Sequence, residues 1–211
     1  MGLGRFGGSM CQELVNEGVN VLAIDKDQER VQKYEDIVSH VATLDAMDKE
    51  SLKSVGISNF DVAIISFGGD LESSILVTLL LKEMNVKQIW VKARNEYHQK
   101  ILEKIGADKI IHPERDMARR IAHHITSDKI VDYIEISSKH SIIEIVASDK
   151  IVGKTIANLK VQQKFKCEVI AIKKDEETVS MIPADDVIIE RGDILIVMGD
   201  NKKLNRLETE V

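Results

Sequence analysis

The residues best suited to chemistry stand at the start of the chain. Gly2-Leu3-Gly4-Arg5-Phe6-Gly7-Gly8 spells G-x-G-x-x-G, and an acid, Asp25, ends the strand-like run that follows. Such a loop makes a tight turn into a helix whose first amides face a pyrophosphate, while the acid takes an adenosine ribose. A carboxylate at Asp25 accepts both ribose hydroxyls and repels a 2′-phosphate, which disfavours NADP. Arg5, inside the glycine loop, carries a guanidinium that can reach phosphates, or it is simply a solvated arginine at a helix start. The glycine spacing alone is a weak signal, because glycine turns also arise for steric reasons. Its context, a helix after it and Asp25 beyond, strengthens it.

In an open parallel sheet, ligands lie beyond the carboxyl ends of the strands. Four further segments are expected there: Asp45-Ala46, Ser66-Phe67-Gly68, Lys92-Ala93-Arg94 and His112-Pro113-Glu114. Each alone reads equally well as a cap or loop, but together they would surround one crevice. Phe6 and Lys26, beside Arg5 and Asp25, complete the candidate nucleotide contacts. Glu114 stands out, because a carboxylate facing phosphates is repelled unless a cation lies between them. The alternative is a first-turn acid that favours the helix dipole.

The elements that must position these residues follow a strand–helix rhythm. Helical stretches are expected at 9–17, 28–35, 71–84, 95–105 and 114–126, with a short helix capped by Asp48, and strands at 19–24, 38–43, 61–66, 88–93 and 109–112. The 71–84 helix is apolar nearly all round, which calls for cover on a second face, read as a subunit interface. In the 95–105 helix, Tyr97, Ile101, Leu102 and Ile105 are expected inward. The last helix carries a stripe of Met117, Ala118, Ile121, Ala122 and Ile125. The alternation is that of an α/β, Rossmann-like doubly wound parallel sheet, with its first strand missing or truncated. That strand is central in such a sheet, so either it lies about ten residues upstream of Met1 or the sheet is damaged beside its ligand.

Beyond Ser127 the rhythm changes to short strands, at 133–137, 141–147, 168–173, 178–183 and 193–198, with helical candidates only at 154–159 and 202–207. Two domains are therefore expected: 1–127, nucleotide-binding and including the connecting helix, and 128–211, a smaller α+β unit joined through 128–132. The net charge of −6 argues against a general nucleic-acid binder. No apolar run approaches the roughly 20 residues that cross a bilayer, so a cytoplasmic protein without membrane insertion is expected. Cys11 and Cys167 read as buried reduced thiols. His123 and His124 are adjacent in a helix, which favours a solvated or interface role over metal binding. Neither H-E-x-x-H nor Tyr-x-x-x-Lys occurs, since Tyr34, Tyr97 and Tyr133 are followed four residues later by Val38, Ile101 and Ser137. No catalytic constellation is visible.

Gly2-Leu3-Gly4-Arg5-Phe6-Gly7-Gly8, Ala23-Ile24-Asp25, Lys92-Ala93-Arg94, Lys104-Ile105-Gly106-Ala107-Asp108 and His112-Pro113-Glu114 together resemble the RCK family, regulators of potassium conductance. Within it the chain is similar to the cytosolic subunits of Ktr-type potassium uptake systems, over its whole length. The resemblance implies an RCK-C domain at the C-terminus and homo-oligomers, dimers assembling into an octameric ring beneath a membrane potassium transporter. It also implies a response to ATP replacing ADP, with Arg5 on terminal phosphates, Asp25 on the ribose, and Glu114 on a divalent cation or Na⁺ shared with the nucleotide. Some relatives bind cyclic di-AMP through an aliphatic patch flanked by an arginine and an asparagine. Here Ile156 and Val169 would supply the patch, while Gln162 and Glu168 replace the polar pair. The competing readings are an NAD-dependent oxidoreductase, which the Rossmann pattern alone favours, and a purely structural assembly module.

Overall fold

A computed structural model describes residues 1–126, 129–175 and 178–210. Ser127 and Asp128, at the expected domain junction, lie outside the described residues, as does the side chain of His123. The chain packs into two compact units, the first Met1–Glu114 and the second beginning at Arg115.

The first unit opens with α1 (Arg5–Asn16), started by Gly4 and closed where Gly18 turns to φ 75° and its amide reaches Val15 O. Then follow β1 (Leu22–Asp25), α2 (Gln28–Gln32), β2 (His40–Thr43), α3 (Lys49–Ser54) and, after a short 3-10 turn, β3 (Val62–Ile65). The unit continues with α4 (Leu71–Glu83), β4 (Gln88–Lys92), α5 (Glu96–Ile105) and β5 (Lys109–Ile111), and α6 (Pro113–Thr126) begins at its end. Side-chain oxygens of Asp27, Asp48, Asp70 and Asn95 cap α2, α3, α4 and α5 by accepting first-turn amides. Gly106, at φ 91°, ends α5 in the left-handed conformation that glycine adopts without penalty.

All ladders in this unit are parallel, in two groups, β1–β2 and β3–β4–β5. Between them lie only Met1 and Gly2: the Met1 amine donates to Ile64 O, Ser66 N to Met1 O, and Gly2 N to Ile24 O. Met1 and Gly2 thus tie the two groups together through backbone hydrogen bonds to both. Ile24, Leu52, Ile65, Val77, Leu81, Ile89, Val91 and Leu102 form the dry core.

One expectation changes here. Tyr97 and Ile101 face outward, Tyr97 at 78% exposure, and the inward positions of α5 belong to His98 and Leu102. The helix is turned by one residue because Asn95 caps the His98 amide and the His98 ring accepts the Arg94 amide, drawing His98 in. On α4, Val77 and Leu81 are buried against the sheet, whereas Leu76 and Leu79 remain exposed in the single chain. Met117, Ile121 and Ile125 of α6 are also exposed.

The second unit contains β6 (Ile130–Glu135), β7 (His140–Val146), α7 (Ile156–Leu159), α8 (Val161–Phe165), β8 (Glu168–Lys173), β9 (Val179–Met181), β10 (Ile194–Asp200) and α9 (Asn201–Glu210). Its strands form one antiparallel sheet in the order β6-β7-β10-β8-β9. Ile143, Ile145, Phe165, Ile172, Leu195, Leu204 and Leu207 join in its core. The α8 turn escapes the sequence pattern because it is a single short turn, set off by Lys160 and Lys166 in left-handed conformation. Cys11 and Cys167 are free and buried.

Candidate nucleotide site

The glycine loop is shaped by contacts that only glycine permits. A Cβ on Gly7 would stand 1.9 Å from Gly2 O and 2.5 Å from Ser66 Oγ. One on Gly2, where φ is +85°, would meet Phe67 Cδ1 at 2.9 Å. Gly4 is the opposite case, with nothing within 4 Å of its would-be Cβ. Space is therefore closed below the loop and open above it, where α1 begins. Unlike α2 to α5, α1 has no side-chain cap and no acid in its first turn. Its amides and the positive end of its dipole are left for an external anion, which fits a pyrophosphate.

Three of the expected residues build this loop from below. Asp25 is buried, and its carboxylate accepts the Leu3 amide at 2.6 Å and the Asp27 amide at 3.0 Å. Arg30 lies 3.8 Å from the same group. The Ser66 hydroxyl is buried and donates to Gly2 O at 2.6 Å, so it positions the loop rather than facing outward. Phe67 packs beside Gly2, and Gly68 follows in the exposed exit turn.

Four others gather at the first turn of α1. Lys92, at the end of β4, places its ammonium on the Glu114 carboxylate and 5.7 Å from the centre of the Phe6 ring. Phe6 stands in the first turn of α1 next to Arg5, and both Lys92 and Arg5 help hold the Glu114 carboxyl below its ordinary range, the Lys92 hydrogen bond being the largest cause. Ala93 is buried, with its amide on Ile111 O, which ties the ends of β4 and β5 together. Lys26, Asp45 and Arg94 are exposed at the same edge of the sheet, and Ala46 is buried as part of the core.

The sequence pattern missed one residue here. His98 is 2% exposed, its Nδ1 accepts the Arg94 amide at 3.2 Å, and its Nε2 has no hydrogen-bond partner. Burial, with His112 nearby, pushes its pKa down. The Asn-x-x-His spacing before an apolar helix was the available signal, since an Asn cap fixes which residue turns inward.

Among the described residues, no three His, Cys, Asp or Glu side chains group to hold a metal ion. Glu114 is one carboxylate, so a cation there needs further ligands such as phosphates. In the second unit, Gln162 and Glu168 line a groove of about 570 Å³ together with His140 and Lys166. Val169 does not offer an aliphatic surface beside them: it alternates inward on β8 and lies in the core, against which Ile156 also packs.

The TrkA-N domain model matches residues 1–113 and the TrkA-C domain model matches 140–211. The chain belongs to the Ktr/TrkA family. This Ktr/TrkA chain is 46% identical over 211 residues to Ktr system potassium uptake protein C of Bacillus subtilis, covering 100% of this chain and 95% of that one. It is 43% identical over 210 residues to Ktr system potassium uptake protein A of the same organism, with 100% and 94% covered. The GsuK channel bound to NAD superposes with a TM-score of 0.68 at 14% identity, over 98% of this chain and 38% of the channel, a likeness of fold. The resemblance drawn from the glycine, I-G-A-D and H-P-E motifs therefore holds, as do the Rossmann-like unit and the antiparallel RCK-C unit.

Proposed function

We propose that this chain is the cytosolic nucleotide-binding regulatory subunit of a Ktr-type potassium uptake system, a non-enzymatic gating element that responds when ATP replaces ADP. The observation that carries the reading is the uncapped N-terminus of α1 over the open space at Gly4, flanked by Arg5 and Lys92. The names of the relatives supply the potassium transport context. Residues 1–127 act as the nucleotide unit with its connecting helix, and 128–211 as the RCK-C unit.

In this reading the α1 amides hold the pyrophosphate, Arg5 meets terminal phosphates, and Asp25 serves both the Leu3 amide and a ribose hydroxyl. Lys26, Asp45, Phe67, Gly68 and Arg94 line the adenosine and phosphate borders, with Ala46 in the core behind them. Glu114 takes a cation only in company with phosphates. The nucleotide works by population shift: it drives gating only as far as it binds one assembly state better than the other. The exposed apolar faces of α4 and α6 provide surface for the homodimers and the octameric ring, which dock on a membrane transporter from the cytosolic side. No described helix is long and apolar enough to cross a membrane.

The test is calorimetric titration of the purified chain with ATP, ADP and NADH, together with an assay for NADH oxidation. ATP should bind more tightly than NADH, and Arg5→Ala should weaken ATP by about tenfold, the worth of one charge-assisted hydrogen bond. Hydride transfer would instead establish the oxidoreductase, and indifference to all three nucleotides would leave a structural module.

A further inference from the structure

We propose that Lys92 is an exchangeable counter-ion: it neutralises Glu114 within the chain, passes to the phosphates when a nucleotide enters, and thereby releases Glu114 to a cation. This rests on the nucleotide reading above and adds to it the reason why a cation is required.

Lys92 and Glu114 are brought together by the sheet. Lys92 is paired in register with Ile111, and three residues further on stands Glu114, in the first turn of α6. The two side chains differ sharply in their contact with water, 15% exposed for Lys92 and 71% for Glu114. The ammonium is thus the fixed member, held between the Phe6 ring and the carboxylate, and the carboxylate is the member free to leave. A lysine whose side chain is mostly covered gains from an anion beside its ammonium. At present Glu114 supplies it.

Phe6 lies in the first turn of α1, so the Lys92 ammonium sits beside the same helix end that faces phosphates. An incoming phosphate offers it a second anion carrying more charge. Two anions sharing one ammonium repel each other, so Glu114 must swing away or gain its own cation. Its exposure allows either. Were a divalent cation bound with the nucleotide, Glu114 would be the protein carboxylate available to it, and Lys92 would stay with the phosphates. Without the cation, every nucleotide bound leaves an uncompensated carboxylate beside its phosphates.

A double-mutant cycle tests the exchange, with ATP affinity of the full chain measured by calorimetry in Mg²⁺ and in EDTA. In EDTA, Glu114→Gln should tighten ATP several-fold, because Lys92 no longer has a competing anion, and the Mg²⁺ enhancement should fall toward one. The same substitution made on Lys92→Met should gain about fivefold less or still smaller, the signature of a coupled pair. Lys92→Gln replaces the methionine variant if that one folds poorly, so that the cycle keeps both arms. Equal gains from Glu114→Gln with and without Lys92 would overturn the exchange while leaving nucleotide binding standing. Failure of the unaltered chain to bind ATP in either condition would remove both.

Discussion

The two sides of the glycine loop hold their charges in opposite ways. Asp25 is 8% exposed and engaged by two backbone amides of its own chain, whereas Glu114 is exposed and held by a single lysine side chain. Backbone amides belong to the fold and cannot leave, so Asp25 is part of the loop's construction before any ribose arrives. A side-chain partner can be traded for a ligand. In the proposed reading, the loop is built from fixed backbone partners where a nucleoside common to ATP and ADP would sit, and from an exchangeable side-chain partner where the two nucleotides differ.

The contrast would break first at the glycines. Gly7→Ala should destabilise the first unit by about 3 kcal/mol or more, because the new methyl would overlap Gly2 O and Ser66 Oγ, both held by the surrounding loop. Gly4→Ala, pointing into open space, should leave urea unfolding within about 0.5 kcal/mol of the parent while weakening ATP binding. Equal unfolding midpoints for the two would mean that the loop adjusts and is not rigid. The next largest effect concerns Asp25. Asp25→Ala should cost about 1–3 kcal/mol even without nucleotide, from the buried Leu3 amide and the partly buried Asp27 amide left without their acceptor. Arg5→Ala should change stability by no more than about 0.5 kcal/mol. If Asp25→Ala altered only ATP affinity, its structural role would be refuted.

What the sequence revealed follows the same division. Features set by local chemistry were legible: the cap at Asp48 and the strand ends that collect Asp25, Ser66, Lys92 and Glu114. Partnerships across the fold were not. Nothing in the spacing of Lys92 and Glu114 announces an ion pair, because it depends on β4 and β5 lying side by side. Asp25 reads as a ligand group from its position, but its bond to the Leu3 amide depends on how the loop folds back. Helix phase was lost on α5 for a related reason: Tyr97 and Ile101 look more apolar than His98, yet the cap at Asn95 decides which side turns in.

The smallest expected effect probes the wall behind the phosphate side. His98 Nδ1 accepts the Arg94 amide, so the ring is neutral with its proton on Nε2, and protonating Nδ1 would set two donors against each other. Its pKa is lowered by burial and by His112, so between the unfolded value near 6.5 and the folded one the unfolded chain binds the extra proton. Stability should therefore fall as the pH drops below about 6.5, at no more than about 1.4 kcal/mol per pH unit from this residue, and level off once the folded value is passed. His98→Gln should remove that component, leaving a shallower loss between pH 7 and 5 in urea unfolding. An unchanged slope would show that the Arg94 backbone is held without His98. The rigid support of the exchangeable side would then have to come from the tie between Ala93 and Ile111 instead.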